Sequence, residues 1–367
     1  MKPYQPDQLP LKDLDYQRLI ALVGNANAEL ARYDGLLQGI VNPSIMLSPL
    51  TNEEAMLSSK IEGTQATVDE VLEHEAGIIK EGEKYHDIQE IINYRQALGS
   101  GQNFLEEYPI TLSFVQQLHK ILLNSVRGQD KTPGEFRRDQ NWIGHYGAKI
   151  EQASFVPPSP LQLKDYLEAW ELYLKSEDID ILLQTAVMHA QFELLHPFKD
   201  GNGRIGRILI PLFLYQKKIL SQPMFYLSSY LEANREEYYL RLQNISSEGD
   251  WNSWIAFFLK AIAEQAIKNN STVKEIMELY DSMKNKIQEI THSQYSIHLL
   301  DAIFDRPIFS SSYLIEKTDI PAPSIKSFIP KLKKEGILSE LIPSRGRMPA
   351  VLIFRNLLNI SEGKNIL

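Results

Sequence analysis

The residues best suited to chemistry lie in one short run, His196-Pro197-Phe198-Lys199-Asp200-Gly201-Asn202-Gly203-Arg204-Ile205-Gly206-Arg207. A histidine changes charge near neutral pH and can take a proton from a reacting group. Arg204 and Arg207 are three apart, so in a helical first turn they share one face. Positive charge there opposes the helix dipole unless an anion is present. Glycines at 201 and 203 let an anion approach unpaired backbone N–H groups. Asp200 adds one carboxylate, with which Mg²⁺ could be held jointly by protein and phosphate oxygens. The set points to chemistry at a phosphate group, with His196 handling a proton.

Two helices must position these residues. Leu183, Ala186, Val187, Ala190 and Leu194 predict a helix over 181–195 that stops at His196, because a residue preceding proline is pushed out of the α region. Ile205, Ile208, Leu209 and Leu212 predict a second helix from near Gly203, with Gly201-Asn202-Gly203 as the turn into it. A lone Gly-Asn-Gly is usually only a turn, and a lone histidine at a helix end usually only a cap. The complete run carries more: it resembles the HPFx(D/E)GNGRxxR signature of the Fic (Fic/Doc) family.

That resemblance implies a mainly α fold: a Fic-type helical core with a small β-hairpin flap, an N-terminal helical region and a C-terminal winged-helix-like domain. It implies transfer of AMP from ATP to a hydroxyl side chain (Tyr, Thr or Ser) of a target protein, with release of pyrophosphate. His196 would be the general base. Asp200 would bind the Mg²⁺ that bridges the phosphates. Asn202 and the backbone of Gly201 and Gly203 would form the anion hole, Arg204 would hold the β-phosphate side, and Arg207 would clamp the γ-phosphate. Phe198 would anchor the loop.

The chain has 367 residues, enough for two or three domains, with 43% hydrophobic and 23% charged residues, as in an ordinary soluble protein. Without cysteine it has no disulfide and no thiolate chemistry. No signal-peptide core or long apolar run occurs, so the expectation is a cytoplasmic protein with no membrane partner. The net charge of −9 argues against the whole molecule being a nucleic-acid binder.

Residues 1–105 read as an N-terminal helical region. A helix is expected over 16–37, and another from Thr51, capped by Glu54 and ending at Gly63. Glu62 then places negative charge at a helix C-terminus, where the dipole disfavours it. Ser58-Ser59-Lys60-Ile61-Glu62-Gly63 resembles the (S/T)xxxE(G/N) inhibitory motif of the family. The resemblance implies that Ser58 and Glu62 belong to an inhibitory helix (about 51–63), and that Glu62 pairs with Arg207 and denies ATP its productive pose. In some relatives the same glutamate supports AMP removal.

Residues 106–265 would form the catalytic core. Pro133-Gly134-Glu135-Phe136-Arg137 resembles the PGxxR segment upstream of the family's flap. The stretch 142–160 predicts a hairpin turning near Gly144-His145-Tyr146-Gly147. In the family this is the flap, so Ile150, Glu151, Gln152 and Ala153 would align the target segment by main-chain pairing. Tyr238-Tyr239 resembles the segment that walls the adenine pocket, and Asn244, in an expected loop 244–248, stands for a family asparagine nearby. His119, His145 and His189 are read as structural, and Trp251, Trp254, Phe257 and Phe258 as core.

A helical connector (266–295) leads to a winged-helix-like domain (296–367). It carries ten basic against seven acidic residues. Lys326, Lys331, Lys333, Lys334, Arg345 and Arg347 would form a basic face, but Pro330 should kink or break the candidate recognition helix. DNA is therefore a weaker candidate partner than a protein, and a homodimer is expected from the family. Two alternatives to AMP transfer stay open: a Fic-fold enzyme that removes AMP or transfers another phosphoryl-type group, and a DNA-binding regulator with a nucleotide-sensing core.

Overall fold

The computed structural model describes residues 2–77, 84–124, 131–144, 147, 149–344 and 349–362. Its helices are α1 (Tyr16–Gln38), α2 (Pro43–Met46), α3 (Ser48–Ile61), α4 (Val68–Glu75), α5 (Tyr85–Leu105), α6 (Leu112–Leu122), α7 (Pro160–Lys175), α8 (Ile181–Leu195), α9 (Asn202–Gln216), α10 (Ser228–Ala233), α11 (Arg235–Glu248), α12 (Trp251–Thr291), α13 (Ser296–Asp305), α14 (Ser311–Lys317), α15 (Ala322–Lys334) and α16 (Arg355–Glu362). Three short strands complete it: β1 (Ile308–Ser310), β2 (Ser339–Ile342) and β3 (Val351–Ile353). The fold is mainly helical, as the 3.6-residue periodicity requires.

The chain forms two compact units. One comprises Met1–Gly35, Leu57–Gly63 and Ile92–Ile267; the other comprises Leu36–Met56, Thr64–Ile91 and Lys268–Leu367. The expected N-terminal region 1–105 is thus shared between two cores, because its helices bury their apolar faces in different places.

In the first unit α8 and α9 are buried on nearly every face, so they read as apolar all round rather than striped. Asp180 caps α8 by accepting from the backbone N–H groups of Leu182 and Leu183. Two buried indoles brace it: Trp170 Nε1 donates to the Met188 carbonyl at 3.0 Å and Trp254 Nε1 to the Ala186 carbonyl at 2.9 Å. Trp251, Phe257 and Phe258 are core as expected. Helix α9 runs through Pro211, a proline the periodicity did not flag.

Three local expectations change. Helix α3 starts at Ser48, with Pro49 in the first turn, so Thr51 lies inside it and does not open it. The capping box instead belongs to α4, formed by Thr67 and Glu70. Gly63 does end the α3 segment with φ +101°, a backbone that only glycine adopts freely. The hairpin shrinks, among the described residues, to one antiparallel bridge between Ile143 and Phe155. Within the expected second arm, Ile150–Gln152 is a 3₁₀ turn and Ala153 follows it in extended form. His145 and Tyr146 lie outside the described residues.

In the second unit the antiparallel sheet has the order β1-β3-β2, so the middle strand Val351–Ile353 pairs on both edges. Val68, Leu72, Ile308, Val351, Ile353 and Leu358 form its core cluster. Helix α15 continues through Pro330, contrary to the expected break, since one exposed proline removes a single ladder bond near the helix end. Lys326, Lys331 and Lys334 are exposed, whereas Lys333 pairs with Glu340. Arg345 and Arg347 lie outside the described residues.

Candidate functional site

The site forms in the first unit, where α8 ends and α9 begins. His196 caps α8 with φ 47° and ψ 58°, a left-handed backbone uncommon for a residue other than glycine. Gly201, with φ 75°, caps α9. The loop between them is tied down from several sides. Asn202 accepts from Phe198 N at 2.8 Å and donates to the Phe198 carbonyl at 2.9 Å. Buried Arg137 donates to the carbonyls of His196 at 2.9 Å and Pro158 at 2.6 Å, and burial lowers its guanidinium to about 10. Phe198 is fully buried and stacks on His119, with ring centroids 3.7 Å apart.

Three histidines show how the loop is set. His119 Nε2 donates to the Asp200 carbonyl at 3.0 Å while its Nδ1 accepts from Gly134 N at 2.8 Å. His189 Nδ1 donates to the Gly206 carbonyl at 3.1 Å while its Nε2 accepts from the Tyr238 hydroxyl at 3.0 Å. Burial drives their pKa values down, to about 4 and about 3, so both are neutral structural groups. His196 Nδ1 donates to the Glu193 carbonyl at 3.3 Å, which leaves Nε2 as the free lone pair. Burial lowers His196 to about 4, against the upward pull of the Glu193 carbonyl, Glu62 and Asp200. It is neutral at physiological pH and able to accept a proton.

A cavity of about 520 Å³ collects His196, Gly203, Arg207, Glu62, Tyr238 and Tyr239 on its wall. Arg207, only 2% exposed, donates through Nε to Ser58 Oγ at 2.8 Å and through Nη2 to the Ser58 carbonyl at 2.9 Å and Glu62 Oε1 at 2.7 Å. Burial pushes the Glu62 carboxyl up, but Arg207, by charge and hydrogen bond, and Arg204 and His196 more weakly, bring it below its ordinary value. Burial would lower Arg207, and Glu62 outweighs it, so the guanidinium stays firmly charged. A Cβ at Gly203 would meet Glu62 Oε1 at 2.2 Å, so glycine is required for this packing.

Other expected residues stand elsewhere. The Asn202 side chain bonds both backbone groups of Phe198, and the Gly201 N–H donates to Asp200 Oδ1 at 2.6 Å, so both of these anion-hole candidates also tie the loop together. The N–H groups of the first turn of α9 are what the fold presents to an anion. Arg204 is buried, with Nη2 3.4 Å from Asp200 Oδ1. Asp200 is 41% exposed, and no group of three metal-ligating side chains occurs among the described residues. One accessible carboxylate beside an anion cradle fits Mg²⁺ held mainly by nucleotide oxygens. Gln152 faces a second cavity, with Ser154, Arg235 and Tyr239, while Ile150, Glu151 and Ala153 do not line the first.

Asn244 is a correction. Residues 244–248 are the last turn of α11, not a loop, and the Asn244 carbonyl accepts from Gly249 N and Asp250 N at that helix end. Helical spacing puts Tyr239, Leu242, Gln243 and Ser246 on the cavity face instead. Sequence reading also passed over Glu193, which lines the cavity. It sits in an apolar helix three residues before the signature run, outside the positions that the signature specifies.

Comparison with known proteins gives the family. Residues 20–103 match the Fic/DOC family N-terminal model and residues 109–214 the Fic/DOC family model, together more than half of the chain. The chain belongs to the Fic/DOC family. A probable protein adenylyltransferase of Aquifex aeolicus is 30% identical over 193 residues, 52% of this chain and 56% of that protein. Protein adenylyltransferase Fic of Drosophila erecta is 26% identical over 262 residues, 68% of this chain and 46% of that protein. This Fic/DOC chain thus spans about half the length of the curated relatives it matches. A Fic family protein from Desulfovibrio desulfuricans shares the fold, with TM-score 0.61 at 19% identity, over 95% of this chain and 98% of that one. A Fic domain containing signaling protein from Bacteroides thetaiotaomicron has TM-score 0.57 at 18% identity, over 69% and 97%. Among the described residues no helix is long and apolar enough to cross a membrane.

Proposed function

We propose that this chain transfers AMP from ATP to a hydroxyl side chain of a protein, and that Glu62 restrains it at rest. The observation that carries the reading is His196, whose Nδ1 is engaged and whose Nε2 is open, on the wall of a cavity that also holds Gly203 and Arg207. The target oxygen attacks the α-phosphorus and its proton passes to His196 Nε2. The bond from the α-phosphorus to the β-phosphate oxygen breaks, and pyrophosphate leaves. The N–H groups opening α9 are preorganised for the charge that develops, and Arg207 would join them once Glu62 releases it. Mg²⁺, when bound by Asp200 and nucleotide oxygens, would neutralise phosphate charge. Tyr238 and Tyr239 would wall the base.

The Glu62–Arg207 pair supports restraint, because the guanidinium that would take the γ-phosphate is already satisfied by a carboxylate. Gln152 and Ile143, which bridges to Phe155, border the second cavity, which suits an extended target segment. In the second unit the order helix, strand, helix, helix, strand, strand supports a winged-helix-like reading of the last segment.

The test uses ATP labelled at the α- or the γ-position with wild type, Glu62→Ala and Glu62→Ala/His196→Ala, scoring label on the chain and on lysate proteins. Transfer of α-label alone, stronger in Glu62→Ala and absent in the double variant, is expected. Transfer of γ-label, or α-label that persists without His196, would sink the proposal.

A further inference from the structure

Glu193 has no part in the scheme above, yet it faces the same cavity. Its Oε1 is closed to solvent and has no hydrogen-bond partner among the described residues. A buried polar atom left unpaired costs about 1–3 kcal/mol, so Oε1 marks a carboxyl that the fold leaves without a protein partner, among the described residues, on the wall of a cavity that a ligand can enter. The carboxyl is also closely seated. It lies over Gly206 of α9, where a Cβ would meet Oε1 at 2.2 Å, so the absence of a side chain at 206 makes room for it.

The position within the cavity indicates what that ligand group is. Gly203 and Arg207 mark the phosphate end, and Tyr238, Tyr239, Leu242 and Gln243 mark the wall suited to a flat base. Glu193 stands on α8 one turn before His196, close enough to Arg207, Glu62 and Tyr238 for their charges to interact, and it lines the same cavity as all three. The part of a nucleotide that joins phosphates to base is the ribose. Resting on the nucleotide reading of this site, we propose that Glu193 hydrogen-bonds a ribose hydroxyl and makes the site select ribonucleotides over deoxyribonucleotides.

The charge state suits that role. Burial, with the negative charge of Glu62 added and Arg207 opposing, pushes the Glu193 carboxyl up to about 8. The other titratable groups nearby, His189, His196, Tyr238 and Tyr239, are held neutral at physiological pH. A protonated carboxyl adds no negative charge beside a triphosphate, and it both donates and accepts, as a hydroxyl does.

The experiment measures, at pH 7 with Mg²⁺, the affinities of ATP, 2′-deoxyATP and 3′-deoxyATP. The proteins are Glu62→Ala and the same protein with Glu193→Gln, Glu193→Asp or Glu193→Leu. Glu62→Ala should prefer ATP over at least one deoxynucleotide by about tenfold, the size of one well-made hydrogen bond. Gln, which still donates and accepts, should keep most of that preference; Leu, and Asp with its shorter reach, should bring the ratio close to one. Because the readout is a ratio, a general weakening of the fold does not imitate it. An equal preference in all four proteins, or none in Glu62→Ala, would overturn the inference while leaving ATP binding intact. Failure of Glu62→Ala to bind any of the three would instead remove the nucleotide reading itself, and this inference with it.

Discussion

Replacing Glu62 by alanine should make the resting protein less stable than wild type and let it gain more stability from nucleotide. Removing one partner of a buried ion pair costs about 3–5 kcal/mol. Here the full figure does not apply: the Glu62 side chain is 35% exposed, and Arg207 keeps its bonds to Ser58 Oγ and the Ser58 carbonyl. A loss of about 1–2 kcal/mol remains, which for a unit of this size lowers Tm by roughly 3–6 °C. Nucleotide at a hundred times its Kd then adds about 2.7 kcal/mol to the variant. Wild type gains less, since its Arg207 must first give up Glu62. The sign with pH follows from the lowered Glu62 carboxyl: its contribution is present above the ordinary value of 4.5 and is lost as pH falls through the folded value. The gap between the proteins should therefore close in acid. The assay is thermal unfolding with and without ATP and Mg²⁺ at pH 7 and at pH 4. A variant that melts no lower than wild type without nucleotide, or that gains no more from nucleotide, would refute the reasoning.

Acid should unfold the protein steeply. His119, His189 and His196 have folded values of about 4, 3 and 4 against an ordinary 6.5, so the stability they secure is present above 6.5 and is lost as pH falls toward 4. Up to three protons are taken up on unfolding near pH 5, about 4 kcal/mol per pH unit, and His119→Asn should reduce that slope by about a third in urea titrations at pH 7, 6 and 5. Arg137→Lys cannot reach the carbonyls of His196, Pro158 and Leu195 together, so it should cost about 2–3 kcal/mol of stability. Transfer should then slow through kcat, with little change in KM for ATP, because Arg137 positions the loop and does not line the cavity.

The chemistry of this chain was legible where it is contiguous. Pro197 fixes the end of α8, the glycines fix the start of α9, and the polar residues between them have few other reasons to stand so close together. Glu62 was legible only through resemblance, since 145 positions separate it from Arg207 and nothing local pairs them. Glu193 was hidden because a single acid in an apolar helix looks like any solvated residue until the fold shows that its Oε1 is closed to solvent. Gln243 and Ser246 were missed because Asn-Ile-Ser-Ser-Glu has the composition of a loop, and packing of Leu242 and Ile245 overrides that local preference. The shortened flap has a related cause: β-type residues around glycines mark a bend, but they do not fix how many residues pair. The loop-holding bonds of Asn202 were not legible because its side chain can serve loop or ligand, and only the geometry shows both of its polar atoms bonded to Phe198.

The most direct measurement of the central claim is the intact mass of the Glu62→Ala protein after incubation with ATP and Mg²⁺, with Glu62→Ala/His196→Ala beside it. The account expects a gain of one adenylyl group on a hydroxyl residue, accompanied by pyrophosphate in solution, and no gain in the double variant. A gain of one phosphoryl group, or an adenylyl group that forms as readily without His196, would contradict it.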